Sequence, residues 1–296
     1  MAVEEATAPY RPFLDGPYRM AMGLQPLAAA DWIEIDAYFE AQLAEKRRLL
    51  AEQHDEIVIA LPRALDAATE LLDVLSSHLC AVHGDRFHRK GSDLVNRVTG
   101  ERWNVAALDR HPIELCGRLV QEDFCLLQCD GDRHVLVAGS LCFPSKWRLA
   151  DKIGHPIATV HGPVPGYVER LERPVDRFFD QLKPGRLVWR LNWLIHDDPA
   201  LFQQGGAAAA PPIEAARAGE ALWLRVERQA LRRLPRSAAI VFTIRTHVTP
   251  LRHVVATRDE AAALAAAVRS MPPEIVRYRN MGAIVPPLLA WLDGWS

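Results

Sequence analysis

The segment 154–167 reads GHPIATVHGPVPGY and surrounds one histidine, His161, with residues that restrict or open the backbone. Pro163 and Pro165 each fix φ at about −65°, and Gly162 carries no side chain next to the imidazole. A stiff loop that presents an imidazole beside a glycine can ligate the metal of a flat ligand, and an axial haem histidine is such a group. The alternative is a turn that only joins a strand to the next helix and leaves the histidine exposed.

Two strand-like segments place polar side chains among apolar neighbours. In PGRLVWRLNWLIHDD, alternation puts Arg190 and Asn192 on one face. Arg190 can pair with a carboxylate such as a haem propionate, or with an acid on a packed helix. In AAIVFTIRTHVTPL, Arg245 shares a face with Thr243 and His247, and a half-buried strand with one solvated face also explains that pattern.

Two further pairs of charged residues occur in predicted strands. Glu227 and Arg228 follow the apolar run LWLRV and lie near a strand end, a common position for ligand contacts. Glu122 and Asp123 interrupt LVQEDFCLL. If both faces of that strand are covered, one of the two acids points inward and needs a partner, because an unpaired buried charge is costly.

Several common motifs are absent from the sequence. It contains no GxGxxG after a strand, no GxxxxGK[ST], no GxSxG and no HExxH. The five cysteines have irregular spacing and form no CxxC pair, which argues against a zinc or iron–sulfur site and predicts reduced thiols in a cytoplasmic protein. Any electrons for redox chemistry would therefore come from a partner or a differently bound cofactor.

The composition is that of a soluble globular protein. The 296 residues are 49% hydrophobic and 24% charged, with a net charge of −2. Small molecules or proteins are thus more suitable partners than nucleic acid or an anionic membrane. The first residues lack the apolar core of a signal peptide, and no apolar run of about 18 residues predicts a membrane span.

Helical signals occur at both ends of the chain. Residues 1–30 are predicted to form an extended surface arm. Asp31 and Glu34 have capping-box spacing, which predicts that a helix starts at Trp32 and that one or two helices run to about residue 53. Five more helices are predicted: one opened by Pro62, one over 167–183 that Pro174 divides, one capped by Thr257 and Glu260, and two short ones after 271 and 284, each opened by proline.

Strand signals fill the middle of the chain. Asp130-Gly131 between two apolar runs predicts a hairpin across GRLVQEDFCLLQCDGDRHVLVAGSLCFPS. Later strands are predicted in the two segments that contain Arg190 and Arg245, and at 221–226, which is followed by a helical turn. GGAAAAPP at 205–212 is predicted to be a loop. The order predicts an α+β fold in one domain, with an arm and helices over about 1–90, a sheet core over about 100–250 and helices over about 257–296.

Five segments together resemble the haem-binding alpha subunit of the haem-dependent oxidative N-demethylases. They are RPFLDGPYRMAMGLQPL, LVQEDFCLL, GSLCFPSKWRLADKIGHPIATVHGPVPGY, RLNWLIHDDP and LRVERQALRRLPRSAAIVFTIRTHVTPL, in that order over roughly residues 11–255. The resemblance implies a PAS-like curved antiparallel sheet with packed helices and one b-type haem. It also implies O₂-dependent N-demethylation of a small secondary methylamine, with electrons from NADH through a separate flavin and iron–sulfur reductase.

The same resemblance assigns roles to residues of this chain. It implies His161 as the axial iron ligand, with an acceptor that orients the ring; His155 and then His196 are the alternatives. It makes Glu227 a candidate for holding an ammonium substrate. It makes a further set candidates for contacts with haem or substrate: Arg190, Asn192, Arg228 and Arg245. A non-catalytic PAS-like sensor of haem or a small ligand and a haem-free binding protein remain the alternative functions.

Overall fold

The Val-, Ile- and Thr-rich segments form a large antiparallel sheet in the computed structural model, which describes residues 8–205 and 212–295. The strands in chain order are β1 Gln25–Leu27, β2 Val58–Ala60, β3 Phe87–Lys90, β4 Asp93–Asn96, β5 Arg102–Asn104, β6 Asp123–Asp130, β7 Arg133–Ser140, β8 Leu187–His196, β9 Trp223–Arg233 and β10 Ile240–Pro250. Within the described ranges, seven of them form one sheet in the order β1-β8-β9-β10-β6-β7-β2, and β3, β4 and β5 form a second, smaller sheet.

Helices precede, interrupt and follow the strands, which confirms the predicted α+β class. They are α1 Phe39–Glu52, α2 His54–Ile57, α3 Leu65–Val82, α4 Pro112–Leu119, α5 Ile157–Val160, α6 Tyr167–Arg170, α7 Glu172–Gln181, α8 Ala218–Ala221, α9 Leu251–Val254, α10 Arg258–Arg269, α11 Pro273–Tyr278 and α12 Val285–Asp293. Each described helix is too short or too polar to cross a lipid bilayer.

Sequence patterns whose residues lie close together in the chain predicted the structure correctly. Thr257 Oγ1 accepts a hydrogen bond from Glu260 N, and Glu260 accepts one from Thr257 N, so the capping box forms at the start of α10. The hairpin β6–β7 turns at Gly131, which has φ of 64°. The predicted helix over 167–183 divides at Leu171, and Pro174 lies in the first turn of its second part, α7.

The helix predicted to start at Trp32 starts instead at Phe39, and the prediction of a capping box at Asp31 and Glu34 was wrong. Glu34 N donates to Glu122 Oε1 at 2.8 Å, and the Glu34 carboxylate faces cationic side chains of the sheet. Trp32 is fully buried in the core. Long-range burial and charge pairing therefore outweigh the local capping signal here.

Three other boundaries differ from the sequence-based expectation. The helical turn predicted after residue 226 is strand, because β9 pairs along its whole length with both β8 and β10. The start of the predicted hairpin at 117–119 belongs instead to α4, which Pro112 opens and which the sequence reasoning missed. The predicted surface arm packs in part, since β1 joins the sheet edge and Phe13 is buried. Most of the predicted loop at 205–212 lies outside the described residues.

Alternation along the strands gives the large sheet two differently covered faces. On one, which we call the α3 face, Leu187, Ala230 and Val241 pack in a core that includes α3. On the other, which we call the α5–α7 face, Val188 and Leu231 pack in a core that includes residues from α5 and α7. The C-terminal helices extend the cover of the α3 face over the far end of β8 and β9.

Candidate functional site

His161 lies directly after α5, on the α5–α7 face of the sheet. Its Nδ1 is 3.0 Å from the carbonyl oxygen of Ile157. Because a carbonyl can only accept, Nδ1 carries the proton and Nε2 carries the lone pair. The Ile157 carbonyl thus fixes the orientation of the ring. The imidazole also stacks on Tyr167, with ring centroids 4.7 Å apart and planes inclined by 13°.

The surroundings of His161 keep the ring neutral. Burial lowers the pKa of His161, and the positive charges of Arg190 and Lys152 lower it further, although the bond to Ile157 acts in the opposite sense. A neutral imidazole with one tethered nitrogen is the form that binds a metal ion. Among the described residues, none donates a hydrogen bond to Nε2, so that atom is available to a ligand.

The glycines near His161 have different structural roles. Gly166 has φ of 78°, a left-handed conformation that any side chain would strain, and it leads into α6. A Cβ on Gly162 would instead meet the Thr159 carbonyl oxygen at 3.2 Å. Gly162 therefore lets the chain turn tightly at the end of α5.

The two alternative histidines have different environments. His155 is exposed. His196, at the end of β8, is 1% exposed, and both of its ring nitrogens are buried without a hydrogen-bond partner. Burial lowers the pKa of His196 to about 3, with Lys146 and Arg225 adding to the shift. Of the three histidines, His161 combines an oriented ring with a nitrogen that has no protein partner.

A row of polar side chains extends from the apolar core on the face of His161. Register pairs Arg190 with Gln229 and Asn192 with Glu227, so all four share one face; we call them the polar row. Val188 precedes this row along β8 and belongs to the same buried core as Ile157 of α5, which places the row on the α5–α7 face. The structure thus places Arg190, Asn192 and Glu227 on the same face as His161, and the charge of Arg190 acts on the His161 ring.

The polar row contains one carboxylate with a free oxygen and one guanidinium without a partner. Glu227 is 6% exposed, and its Oε2 accepts bonds from Gln229 Nε2 at 2.9 Å and Asn192 Nδ2 at 3.3 Å. Arg190 makes no ion pair within the described residues, and its Nε is buried without an acceptor. Burial lowers the pKa of Arg190, and the nearby charge of Glu227 opposes this shift.

Arg228 and Arg245 lie on the opposite face from His161. They pair with each other in register and share the α3 face with Leu191. Arg228 lies 3.3 Å from Glu34 and donates to the carbonyls of Asp31 and Trp32, while Arg245 binds Asp36 and the Thr246 carbonyl. The sequence analysis grouped these two arginines with His161, but the structure places them on the other face of the sheet.

The acids around these two arginines complete an ionic network on the α3 face. We define it as Glu34, Asp36, Arg228, Arg245 and His247. His247 Nε2 is 3.2 Å from Glu34 Oε2. Burial would raise the pKa of Glu34, but the hydrogen bond to His247 and the charge of Arg228 outweigh it, so this pKa lies below its ordinary value. The network holds the segment before α1 on the sheet.

Both acids of the Glu122-Asp123 doublet are buried. The sequence analysis required only one of them to point inward. Asp123 accepts bonds from Cys142 N at 2.9 Å and Phe143 N at 2.6 Å, and Lys46 Nζ lies at 3.1 Å. Glu122 accepts one bond from Glu34 N, and its Oε2 has no partner. Burial raises the pKa of Glu122 to about 7, and the charge of Arg245 moderates the shift.

Sequence reasoning missed three residues beside the polar row: Tyr18, Tyr278 and Arg279. Arg279 Nη1 donates to the Trp193 carbonyl at 2.8 Å, and its guanidinium lies 5.4 Å from the Tyr18 ring centroid. The charge of Glu227 acts on both Arg279 and Tyr278. These residues come from opposite ends of the chain, so no local pattern links them to β8.

Two cavities of about 500 Å³ lie away from His161. One, on the α3 face, is lined in part by Tyr10, Trp189 and Arg228. The other lies at the end of α12 beside Trp291 and Trp295. Over residues 8–205 and 212–295, no three His, Cys, Asp or Glu side chains are grouped to hold a metal ion. A haem iron needs only one or two protein ligands, because the porphyrin supplies the others.

The sequence was compared with models of protein families. The family described as haem-dependent oxidative N-demethylase, alpha subunit-like, matches residues 23–289. This range contains His161, the polar row and every strand of the large sheet.

Proposed function

The chain belongs to the haem-dependent oxidative N-demethylase, alpha subunit-like family, and on this basis we propose that it is the haem-binding component of an oxygenase that demethylates a small secondary amine. The observation that carries the proposal is the state of His161. Its Nδ1 is tied to the Ile157 carbonyl and its ring is neutral, so Nε2 is prepared for a metal ion.

Two side chains on the α5–α7 face have the chemistry that a haem requires. His161 offers the axial nitrogen, and it lies on the same face as the buried apolar core that contains Val188 and Leu231. Arg190 offers a buried donor without an acceptor, which a carboxylate would satisfy. The chain has no CxxCH segment for covalent attachment, so the haem we propose is b-type.

The proposed reaction balances as follows. A secondary methylamine, O₂, two electrons and two protons give the primary amine, formaldehyde and water. The haem, when bound, supplies the activation of O₂ that places one oxygen atom on the methyl carbon. The resulting carbinolamine then loses formaldehyde by cleavage of its C–N bond.

Residues of this chain bind and orient the amine. We assign Glu227 to the substrate ammonium, because its Oε1 receives no hydrogen bond from the described residues. Asn192 and Gln229 hold the other oxygen and so fix the direction of the carboxylate. A fixed carboxylate positions the N-methyl group and reduces the orientational freedom lost on reaching the transition state. Arg228 and Arg245 lie behind the sheet and support it.

We propose that the electrons come from NADH through a flavin and iron–sulfur partner. The family description, alpha subunit-like, implies a partner subunit. This sequence has no nucleotide-binding loop motif and no CxxC pair, which supports placing the NADH, flavin and iron–sulfur sites on the partner.

Formaldehyde release tests this function. The haem-loaded protein is supplied with NADH, a surrogate flavin/iron–sulfur reductase, O₂ and N-methylated amines, with catalase to remove peroxide. We expect formaldehyde and primary amine in equal amounts. Glu227→Gln should lower kcat/KM by at least about tenfold, because it removes a charge-assisted bond to the ammonium. His155→Ala is the matched control and should retain activity. Formaldehyde production that is unchanged in His161→Ala would refute the proposal.

A further inference from the structure

The charges around Glu227 are not those of a site for a simple cation. Three guanidinium groups act on this single carboxylate, those of Arg190, Arg225 and Arg279. Asp123 and Asp198 also act on Arg225, whereas Glu227 alone among the described carboxylates acts on Arg190 and Arg279. Two guanidinium groups thus share one carboxylate, and a substrate with both a carboxylate and an ammonium group matches this set better than an ammonium group alone.

Two of the three guanidinium groups are already occupied. Arg225 donates to the carbonyls of Phe143 and Leu201, among others. Arg279 donates to the Trp193 carbonyl at the edge of β8 and lies over Tyr18. Arg190 alone of the three makes no hydrogen bond or ion pair with a described residue, and its Nε is enclosed without an acceptor. A guanidinium whose Nε is enclosed without an acceptor is best satisfied by a carboxylate.

Arg190 and Glu227 are diagonal neighbours on one face of the sheet. Arg190 is opposite Gln229, and Glu227 is opposite Asn192. Diagonal residues of an antiparallel pair are about 7–8 Å apart. This separation of strand positions is within reach of long side chains, so the two charged groups flank one patch of the sheet. Arg190, Asn192 and Gln229 are partly exposed, so a small molecule can reach this patch.

We infer that the substrate is a zwitterion: an N-methylated α-amino acid whose carboxylate binds Arg190 and whose secondary ammonium binds Glu227. The inference rests on the proposed function and narrows its substrate class. An α-amino acid carries its two charges on either side of a single carbon, so it supplies the carboxylate that Arg190 lacks together with the ammonium group that Glu227 binds. The carboxylate could instead be a propionate of the haem itself, and the experiment below separates these two sources.

Calorimetric titration of the haem-loaded full chain tests the inference without a turnover measurement. The probes are N-methylglycine and dimethylamine. We expect N-methylglycine to bind at least about tenfold more tightly. Arg190→Gln should remove that preference and leave dimethylamine binding unchanged or stronger. Arg186→Gln removes the same charge from an exposed position four residues away and should change neither affinity.

A second variant distinguishes a lost contact from a misfolded protein. Arg190→Lys retains the positive charge but cannot form two parallel bonds with a carboxylate. With an unchanged far-ultraviolet circular dichroism spectrum, it should bind N-methylglycine several-fold more weakly than the wild type and more tightly than Arg190→Gln.

Two results would overturn the inference. One is a dimethylamine affinity equal to or higher than that of N-methylglycine. The other is an Arg190→Gln protein that loses haem but, in its haem-loaded fraction, binds N-methylglycine like the wild type; Arg190 would then hold the haem carboxylate. Failure of the proposed function has a different signature, the absence of a Soret band in every variant. In that case the same titrations on the haem-free chain decide the inference about Arg190 and Glu227.

Discussion

Both faces of the large sheet carry acidic and basic side chains, but the two faces differ in whether these side chains are paired. On the α3 face, each acid and base of the ionic network has a partner, as with Arg245 and Asp36 or His247 and Glu34. On the α5–α7 face, Arg190 has no partner among the described residues, and the hydrogen bonds to Glu227 from those residues come only from neutral amides. The difference indicates that the first set stabilises the fold, whereas the second is free to bind a ligand.

Removing a partner from the ionic network should give the largest loss of stability. Arg245 is fully buried and binds Asp36 and a backbone carbonyl. Arg245→Ala would leave the Asp36 carboxylate without its guanidinium, and we expect about 3–5 kcal/mol less free energy of unfolding. Urea denaturation followed by circular dichroism measures this value. A loss no larger than that of Arg186→Ala would remove the distinction between the two faces.

Glu122 should make stability depend on pH. Burial raises its pKa from 4.5 to about 7 in the folded state. The folded protein therefore holds this proton more tightly than the unfolded chain, so the stabilising contribution is complete below pH 4.5 and is lost as the pH rises through 7. The expected loss is about 3 kcal/mol.

Glu122→Gln isolates that contribution because its amide cannot ionise. We expect the free energy of unfolding of the wild type to fall relative to that of the variant between pH 5 and pH 8, as measured by urea denaturation at each pH. A constant difference between the two proteins over this range would show that Glu122 does not titrate there.

Removing Arg190 should have the smallest effect on stability. It makes no ion pair with a described residue, and its replacement by glutamine relieves the cost of a partly buried, unmatched charge. We expect Arg190→Gln to change the free energy of unfolding by less than about 1 kcal/mol, measured in the same denaturation experiment. A loss comparable to that of Arg245→Ala would mean that Arg190 also has a structural role.

The sequence predicted those parts of the fold whose signals are local. Thr257 and Glu260 form the expected capping box because both partners lie within one turn of α10. Asp31 and Glu34 show the same spacing, but Glu34 pairs with Arg228 and His247, which come from distant strands. No local pattern shows these long-range ion pairs. They hold Glu34 on the sheet, and α1 starts only at Phe39.

The residues of the candidate site also differ in whether a local sequence pattern predicted them. His161 was proposed from the prolines and glycines beside it, and the carbonyl that contacts its Nδ1 lies four residues away. The grouping of Arg228 with Glu227 failed in space because adjacent strand residues point to opposite faces. Arg279 and Tyr18 were missed because they approach β8 from opposite ends of the chain.

The visible absorption spectrum of the purified, haem-reconstituted protein tests the central claim, iron ligation by His161, most directly. We predict a Soret band in the wild type and in His155→Ala, and its loss or shift to that of unbound haem in His161→Ala. A Soret band that is the same in His161→Ala and in the wild type would contradict the account.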